Sequence, residues 1–354
     1  MTTSLRLMFA LAAVAGCSSA PAPTRTATAP AAGPTLTPQT SGTRNRLQAV
    51  SAVNERVVWV SGVGGTYALT TDGGNTWRAS VVPGADSLEF RDVQGVSDRV
   101  AFLLAAGPGD RSRIYRTDDG GRSWSLQFTN RDTSAFYDCF AFWDAHRGFT
   151  MSDAVGGRFP VIRTDDGATW TDIGDRVPPA QTGEGAFAAS GTCTAALGDR
   201  HGWIATGAAA RARVLRTADR GGTWSVAQTP ITQGSSTSGG ASVAFRDTLH
   251  GILGGGDIAA PAVSTDNVAV TGDGGRTWTI ATRTPFPGAI YGLAYVPTGG
   301  PTVVATGPGG AAWTADEGRT WHALEGLRDY WAVGAGGSSG WLVGTEGRIL
   351  KLTF

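Results

Sequence analysis

The chain has 354 residues, with 29 Lys or Arg and 29 Asp or Glu, so its formal net charge at pH 7 is zero. This balance gives no general surface for nucleic acid or for an acidic membrane, and we predict neither as a partner. The 52 glycines are typical of a fold that has short strands and many turns.

The N-terminus carries an export signal. Arg6 precedes an apolar run, Leu7 to Val14, that is too short to span a bilayer. The following Val14-Ala15-Gly16-Cys17 resembles the lipobox of bacterial lipoproteins, which implies a signal peptide over residues 1–16 and lipidation of Cys17. An ordinary signal peptide with an incidental cysteine is the alternative. We expect an exported, membrane-anchored lipoprotein on the periplasmic or outer-membrane face, with the lipid as its only membrane contact.

Residues 17–33 are rich in Ala, Pro, Ser and Thr and contain almost no large apolar side chain. Such a composition cannot bury enough apolar surface to fold, so we predict a disordered tether. The remaining residues, 34–354, form a single predicted domain.

Six octapeptides in this domain share the pattern Thr-x-Asp-x-Gly-x-Ser/Thr-Trp, spaced at intervals typical of propeller blades. An Asp at such a turn accepts hydrogen bonds from backbone N–H groups, and the Gly permits a positive φ. Only Arg163, in RTDDGATW, breaks the first position. The predicted structural Asp residues are Asp72, Asp119, Asp165, Asp219, Asp273 and Asp316.

These octapeptides resemble the Asp-box, or BNR, repeat, which implies a turn between the third and fourth strands of a propeller blade. Each is preceded by three apolar strand segments, and a seventh set, ending in GRILKLTF, follows the last octapeptide. We therefore predict an all-β, seven-bladed propeller of four-stranded antiparallel blades, closed by an N-terminal strand around Pro34 to Gln39. Six blades with a loose tail is the alternative.

Three sets of repeated residues test this arrangement. Cys139 and Cys193 occupy equivalent places in neighbouring blades; export favours a disulfide, whereas the ~10 Å spacing of packed sheets disfavours one.

Three histidines recur at equivalent turns, His146, His201 and His250. They have no metal-ligand spacing, and we predict that they are ordinary turn residues.

Three arginines, Arg116, Arg163 and Arg216, recur just before the octapeptides. We predict that they form a solvated flank of the third strand, with a basic stripe as the alternative.

Four irregular loops belong to adjacent blades and should meet on the face opposite the octapeptides. They are SDAVGGRFP, GDRVPPAQTGEGAFAASGT, TQGSSTSGG and GGGDIAAPAVSTDN. Grafted loops on a regular scaffold are where binding or catalysis is usually found. The predicted binding residues are Asp153, Arg158, Glu184 and Asp257.

The loop motifs SDxxxGRF, GEGAFAASGT, SGGASVAF and GGGD, together with the octapeptides, resemble a group of bacterial exported propellers described as photosystem II stability/assembly-factor-like, or loosely as oxidoreductases. The assembly factors of that name bind a membrane-protein precursor and are not enzymes. The sequence contains no dinucleotide-binding glycine motif, no CxxCH and no metal-ligand cluster, so we predict no cofactor and no metal.

We expect a monomeric binding or assembly-factor-like scaffold that presents its loop-rich face to an envelope protein or saccharide. The alternative is a sialidase-like glycoside hydrolase, with Asp153 and Glu184 as the acid/base pair and Arg158 holding an anionic group. Against catalysis, the sialidase Arg-Ile-Pro motif and an identifiable Tyr nucleophile are both missing. A third interpretation is that these charged residues brace the long loops.

Overall fold

The computed structural model describes residues 1–2 and 33–354, and Gly33–Phe354 form one compact unit. In this unit 28 strands make seven four-stranded antiparallel sheets. The predicted seven-bladed, all-β propeller is therefore confirmed. Residues 3–16 of the predicted signal peptide, Cys17 and all of the predicted tether except Gly33 lie outside the described residues.

Within each of the first six blades the strands pair in chain order, beginning with the inner strand next to the central channel. Blades 1 to 3 contain β2 (Leu47–Ala52), β3 (Val58–Gly62), β4 (Thr66–Thr70), β5 (Arg78–Val81); β6 (Phe90–Gly95), β7 (Ala101–Ala105), β8 (Arg113–Thr117), β9 (Ser125–Thr129); β10 (Tyr137–Phe142), β11 (Gly148–Ser152), β12 (Val161–Thr164) and β13 (Thr171–Asp172). Blades 4 to 6 contain β14 (Thr194–Leu197), β15 (His201–Ala205), β16 (Arg213–Thr217), β17 (Ser225–Gln228); β18 (Ser238–Phe245), β19 (Gly251–Asp257), β20 (Val268–Thr271), β21 (Thr279–Ile280); β22 (Gly292–Tyr295), β23 (Val303–Gly307), β24 (Gly310–Thr314) and β25 (His322–Ala323).

The seventh blade joins the two ends of the propeller. It contains β26 (Tyr330–Gly336), β27 (Ser339–Gly344), β28 (Arg348–Thr353) and, as its outer strand, β1 (Thr35–Thr40). β1 runs antiparallel to β28, from Thr35 opposite Thr353 to Thr40 opposite Arg348. The chain thus closes the ring by hydrogen bonds, which leaves no open gap between first and last blades.

Short 3-10 helices occur at Gly109–Arg111, Gly174–Arg176 and Thr345–Gly347. Among the described residues, no helix is long and apolar enough to cross a membrane.

The core lies between successive blades, where side chains from facing sheets interdigitate. Between blades 1 and 2, Trp59 and Phe90 are fully buried in one cluster. Between blades 4 and 5, Trp203 stacks on Phe245 with ring centroids 3.6 Å apart. Each aromatic residue buries a large apolar area, so stability is distributed around the ring.

The repeated octapeptides form hydrogen-bonded turns between the third and fourth strands. In the first turn, Asp72 Oδ1 accepts a hydrogen bond from the Thr76 amide (2.9 Å), and Asp72 Oδ2 accepts one from the Thr76 hydroxyl (2.6 Å). The buried Thr70 Oγ1 accepts one from the Gly74 amide (2.9 Å), and Gly74 has a φ of 88°. Asp119, Asp219, Asp273 and Asp316 make the same contacts with the residue four places on.

The third turn differs from the sequence prediction by one residue. Thr164 and Asp166 make the contacts of the repeat, since Asp166 Oδ1 accepts from the Thr169 amide (2.7 Å) and Thr164 Oγ1 accepts from the Gly167 amide (2.9 Å). Asp165, predicted as the structural Asp, instead pairs with Arg163 at 2.7 Å. This turn is one residue shorter between its Asp and its Thr, which shifts the register.

The arginines that precede the octapeptides connect neighbouring blades. Arg116 donates to the Gly167 carbonyl oxygen (3.0 Å), and Arg163 donates to the Arg220 carbonyl oxygen (3.1 Å). In each case the acceptor lies in the repeated turn of the next blade. These two residues are therefore bridges rather than the solvated flank that we predicted.

Cys139 and Cys193 form a disulfide with a Cα–Cα distance of 5.9 Å. The sequence argument from sheet spacing was wrong here. The ~10 Å distance holds for sheets packed face to face, whereas Cys139 lies on inner strand β10 and Cys193 directly precedes inner strand β14, where the blades converge on the channel. The bond ties the link between blades 3 and 4 to blade 3.

The three repeated histidines lie on the octapeptide side of separate blades. His146 and His250 contact residues of nearby turns, Asp166 and Asp247 respectively, and His201 begins β15. Within the described residues, no group of three or more His, Cys, Asp or Glu side chains is placed to hold a metal.

Candidate functional site

Backbone hydrogen bonds join the four irregular loops into one continuous surface. The Ala154 amide donates to the Glu184 carbonyl oxygen (3.0 Å), Gly185 and Gly207 exchange two hydrogen bonds, and the Ile258 amide donates to the Thr237 carbonyl oxygen (3.0 Å). The Ala208 amide also donates to the Ser238 carbonyl oxygen (3.0 Å). The loops of blades 3 to 5 therefore support one another.

Glu184 is a bracing residue on this surface. Its side chain is fully buried and forms an ion pair with Arg213, whose Nε donates to Oε1 at 2.7 Å. The Thr206 hydroxyl also donates to Oε1 (2.6 Å), and the Gln181 amide donates to Oε2 (2.8 Å). With both oxygens occupied, Glu184 has no free position from which to transfer a proton to a substrate.

Arg158 and Asp257 also serve the loops that contain them. Arg158 donates to Asp172 and Asp175, each at 2.7 Å. Asp257 Oδ1 accepts a hydrogen bond from the Ala259 amide (2.9 Å) and so caps a turn. Of the four predicted binding residues, only Asp153 lines the cavity at the channel mouth.

Four neighbouring inner strands each carry a β-bulge at this mouth. In blade 1 the pairing skips Gln48, in blade 2 Arg91, in blade 3 Asp138 and in blade 7 Trp331. A bulge leaves one residue outside the ladder and re-aims its side chain. All four of these residues line the same cavity, whereas Ala241, which a bulge leaves unpaired in blade 5, does not. Four of the bulges therefore direct side chains into the cavity.

The cavity has a volume of about 380 Å³, which lies within the usual range of about 300–1,000 Å³ for ligand pockets. Its walls combine the bulged residues with aromatic side chains, and Ile258 stands at its edge with 37% of its surface exposed. The aromatic residues are Phe136, Phe187, Tyr291 and Trp331.

The segment from Phe187 to Thr192 crosses the channel and forms the floor of the cavity. Ser190 Oγ donates to the Tyr291 carbonyl oxygen in blade 6 (2.6 Å), and Thr192 bonds to Ser242 in blade 5 (2.7 Å). A β-carbon on Gly191 would overlap Asp92 of blade 2. A second cavity of about 700 Å³ lies beyond this segment, toward the octapeptide face, so the mouth cavity ends blind.

Two carboxyl groups face each other in the mouth cavity. Asp138 is 2% exposed, and burial, followed by the charge of Asp153, raises its pKa well above the usual range. Burial raises the pKa of Asp153 to about 6, although the Ala186 amide donates to it (3.1 Å) and opposes the shift. Two ionised carboxylates have no donor between them, so the pair is stable when it holds a proton.

The two arginines beside the pair contact other groups, although Nε of Arg46 is buried without a hydrogen-bond partner. Arg91 donates to Glu89 through Nε (3.0 Å) and Nη2 (2.8 Å). Arg46 lies over the ring of Trp331 at 4.8 Å and 4.0 Å from Glu89. Oδ2 of Asp138 is buried and receives no hydrogen bond.

Solved structures with the same fold were found by comparison. A structure of YCF48 bound to D1 peptide shares 16% identity with a TM-score of 0.62, covering 92% of this chain and 96% of that one. YCF48 from Cyanidioschyzon merolae shares 15% identity with a TM-score of 0.59, covering 91% and 99%. U3-55K shares 13% identity with a TM-score of 0.60, covering 90% and 98%.

At these identities the likeness establishes the fold. The resemblance to photosystem II assembly-factor propellers, predicted from sequence motifs, is thereby confirmed for the seven-bladed architecture. No protein-family model and no curated protein matches the chain.

Proposed function

We propose that this protein is a non-enzymatic scaffold of the cell envelope, tethered by a lipid on Cys17, that holds a polypeptide segment of a partner at the mouth of its channel. The observation that carries the proposal is the blind cavity furnished by the bulged residues Gln48, Arg91, Asp138 and Trp331. A rigid concave surface with aromatic anchors and charged groups suits recognition of side chains.

The comparison with YCF48 bound to D1 peptide supports a protein as the partner, since that propeller has the same fold and was captured with a peptide. The sequence allowed either an envelope protein or a saccharide as the partner, and we propose the envelope protein. An Ala/Pro/Thr-rich tether over residues 17–33 would reach at most about 60 Å when extended, so the partner lies at or near the membrane surface.

The contacts of Glu184 argue against a glycoside hydrolase. The proposed acid/base pair of Asp153 and Glu184 needs a carboxylate free to exchange protons, whereas Glu184 is held by Arg213, Thr206 and Gln181. Asp138 could replace it only as a hydrogen-bonded neighbour of Asp153, which is closer than the ~5 Å separation between carboxyl groups that retaining enzymes require. A scaffold role uses these same residues without that difficulty.

The test is affinity capture from a detergent extract of the source cells' envelope, with residues 33–354 as bait because they contain every strand of the closed ring. We expect one or more envelope proteins to be retained by the wild-type bait and by Arg122→Ala, which alters an exposed arginine of a repeated turn. Trp331→Ala should release them. Equal retention by all three baits would contradict binding at the channel mouth.

A further inference from the structure

The mouth cavity contains a buried carboxylate, that of Asp138. Oδ2 is buried without a hydrogen-bond donor, on a residue that is 98% buried and that a β-bulge directs toward the mouth cavity. Buried carboxylates are ordinarily paired or hydrogen-bonded, because desolvation disfavours the charged form. The side chain beside it is that of Asp153, with which Asp138 shares a hydrogen bond, so a donor from a partner can take the place of the proton between the two carboxyl groups.

The charges around the cavity define the kind of donor. Arg46 and Arg91 supply two positive charges, while Glu89, Asp138 and Asp153 supply three negative charges when all are ionised. The guanidinium of Arg91 is directed to Glu89 at 2.8 Å, so it does not donate to Oδ2 of Asp138. One additional positive charge would make the group neutral.

The walls define the shape of the donor. Tyr291 and Trp331 pack edge to face with centroids 5.5 Å apart, and Phe187 lines the cavity beside them. Aromatic walls accommodate an alkyl chain and also attract a cation. The structure thus offers an apolar wall for a stem and an acidic pair for a charged head.

We infer that the Asp138–Asp153 pair binds a primary ammonium group of the partner segment, which inserts into the mouth cavity and displaces the proton held between the two carboxyl groups. The inference rests on the proposed function and specifies the chemistry that the site recognises. The ammonium comes from a lysine side chain or from the α-amino group of a polypeptide N-terminus. The proton leaves to solvent, and the ammonium donates hydrogen bonds to both carboxylates.

This exchange makes binding depend on pH. The groups that face the pair act in different directions. Arg91 favours the ionised form of Asp138 and Asp153 disfavours it, whereas a hydrogen bond from Asp138 favours the ionised form of Asp153. Binding needs both acids ionised, so affinity should rise as the pH increases through the pKa of Asp153 near 6, and should continue to rise as Asp138, whose pKa burial also raises, loses its proton.

The experiment uses residues 33–354 and a synthetic array of random hexapeptides attached through their C-termini. Each peptide is made with lysine, norleucine or Nε-acetyl-lysine at a central position, and with a free or an acetylated N-terminus. Norleucine retains the alkyl stem without the ammonium. Affinities of retained peptides are then measured in solution by fluorescence anisotropy at pH 5 and pH 8.

We expect retained acetylated peptides to bind at least 10-fold more tightly with lysine than with norleucine at pH 8, and to lose most of this difference at pH 5. Retention that depends only on a free N-terminus would identify the α-amino group as the source and support the same chemistry. Asp138→Asn and Asp153→Asn should each abolish the preference, while Asp175→Asn, an exposed acid on the same face, should keep it.

Peptides that bind without a preference for an ammonium would overturn the inference and leave the proposed function standing. Retention of no peptide would contradict both. Thermal unfolding of each variant separates loss of recognition from loss of fold, and having two independent Asn variants means that misfolding of one still leaves a decisive result.

Discussion

The two faces of the propeller treat their acidic residues in opposite ways. On the octapeptide face, the hydroxyl and amide of Thr76 donate to Asp72 and lower the pKa of that acid to about 2. On the loop-rich face, burial raises the pKa of Asp138 and Asp153. On the octapeptide face, the acids accept hydrogen bonds from their own turns. On the loop-rich face, the donors of the protein leave a pair of acids only partly hydrogen-bonded.

This difference separates the acidic side chains that stabilise the fold from those that are available to a partner. A satisfied acid contributes to stability and has nothing to offer a ligand, while a buried acid without a donor costs stability and gains from one. Glu184 shows that position alone does not decide the role, because it lies on the loop-rich face yet is fully paired with Arg213.

The largest effect is expected at this buried ion pair. Arg213→Met should lower the free energy of unfolding by about 3–5 kcal/mol, because it leaves the carboxylate of Glu184 buried without its partner. Urea denaturation measures the change. The double variant Arg213→Met plus Glu184→Gln should recover part of the loss; a double variant as unstable as the sum of both single variants would contradict a bracing role.

A smaller loss is expected on the octapeptide face. Thr70→Val should lower the free energy of unfolding by about 1–3 kcal/mol, because the buried Gly74 amide loses its acceptor. Thr71→Val, at the exposed neighbouring position, is the matched control and should be close to neutral. Peptide affinity should stay at the wild-type level in both variants, and a loss in Thr70→Val would break the division between the faces.

Removing an acid from the mouth cavity should increase the free energy of unfolding. Asp138→Asn should raise the free energy of unfolding at pH 8 by about 1–2 kcal/mol, because an acid whose pKa is raised in the folded state destabilises the fold above its ordinary pKa, whereas asparagine does not titrate. The same variant should lose the preference for peptides with an ammonium group. A destabilised Asp138→Asn protein at pH 8 would show that the carboxylate serves the fold after all.

The pH dependence of stability follows from the same shifts. Asp153 has a folded pKa of about 6, above the ordinary value of about 3.9, so its contribution is present at low pH and is lost as the pH rises through 6. Between pH 4 and 6 the wild type should lose up to about 1.4 kcal/mol per pH unit relative to Asp153→Asn. Parallel stability curves for the two proteins over this interval would contradict the raised pKa.

Below pH 4 both proteins should lose stability together. The pKa of Asp72 is lowered, and such an acid contributes stability above its unfolded pKa that disappears as the pH falls toward 2. Circular dichroism across pH 2–8 measures both regimes in one series.

The sequence was sufficient to predict the blades because six octapeptides set their spacing and the strands between them are apolar. It misplaced the third turn, where Asp165 and Asp166 are adjacent and either could be aligned with the repeat. The Cys139–Cys193 bond depends on how closely inner strands converge, and a general sheet spacing does not describe that convergence.

The candidate site was mostly beyond sequence reasoning. Asp153 was identified from its loop, but the bulged residues lie within inner strands, where regular alternation would pair them in the ladder. These residues are Gln48, Arg91, Asp138 and Trp331. One signal was present: Arg91 and Asp138 each follow the first aromatic residue of an inner strand, in FRDV and YDCF. Their convergence over one channel appears only when the ring is closed.

Site-specific photo-crosslinking most directly tests whether the channel mouth is the binding surface. A photoreactive phenylalanine analogue replaces Ile258, at the edge of the mouth cavity, or Leu126, which is 50% exposed on the outer strand β9. In intact cells, we predict a crosslinked envelope protein from position 258, removed by Asp138→Asn, and none from position 126. Crosslinking of the same protein from both positions, or from position 126 alone, would contradict the account.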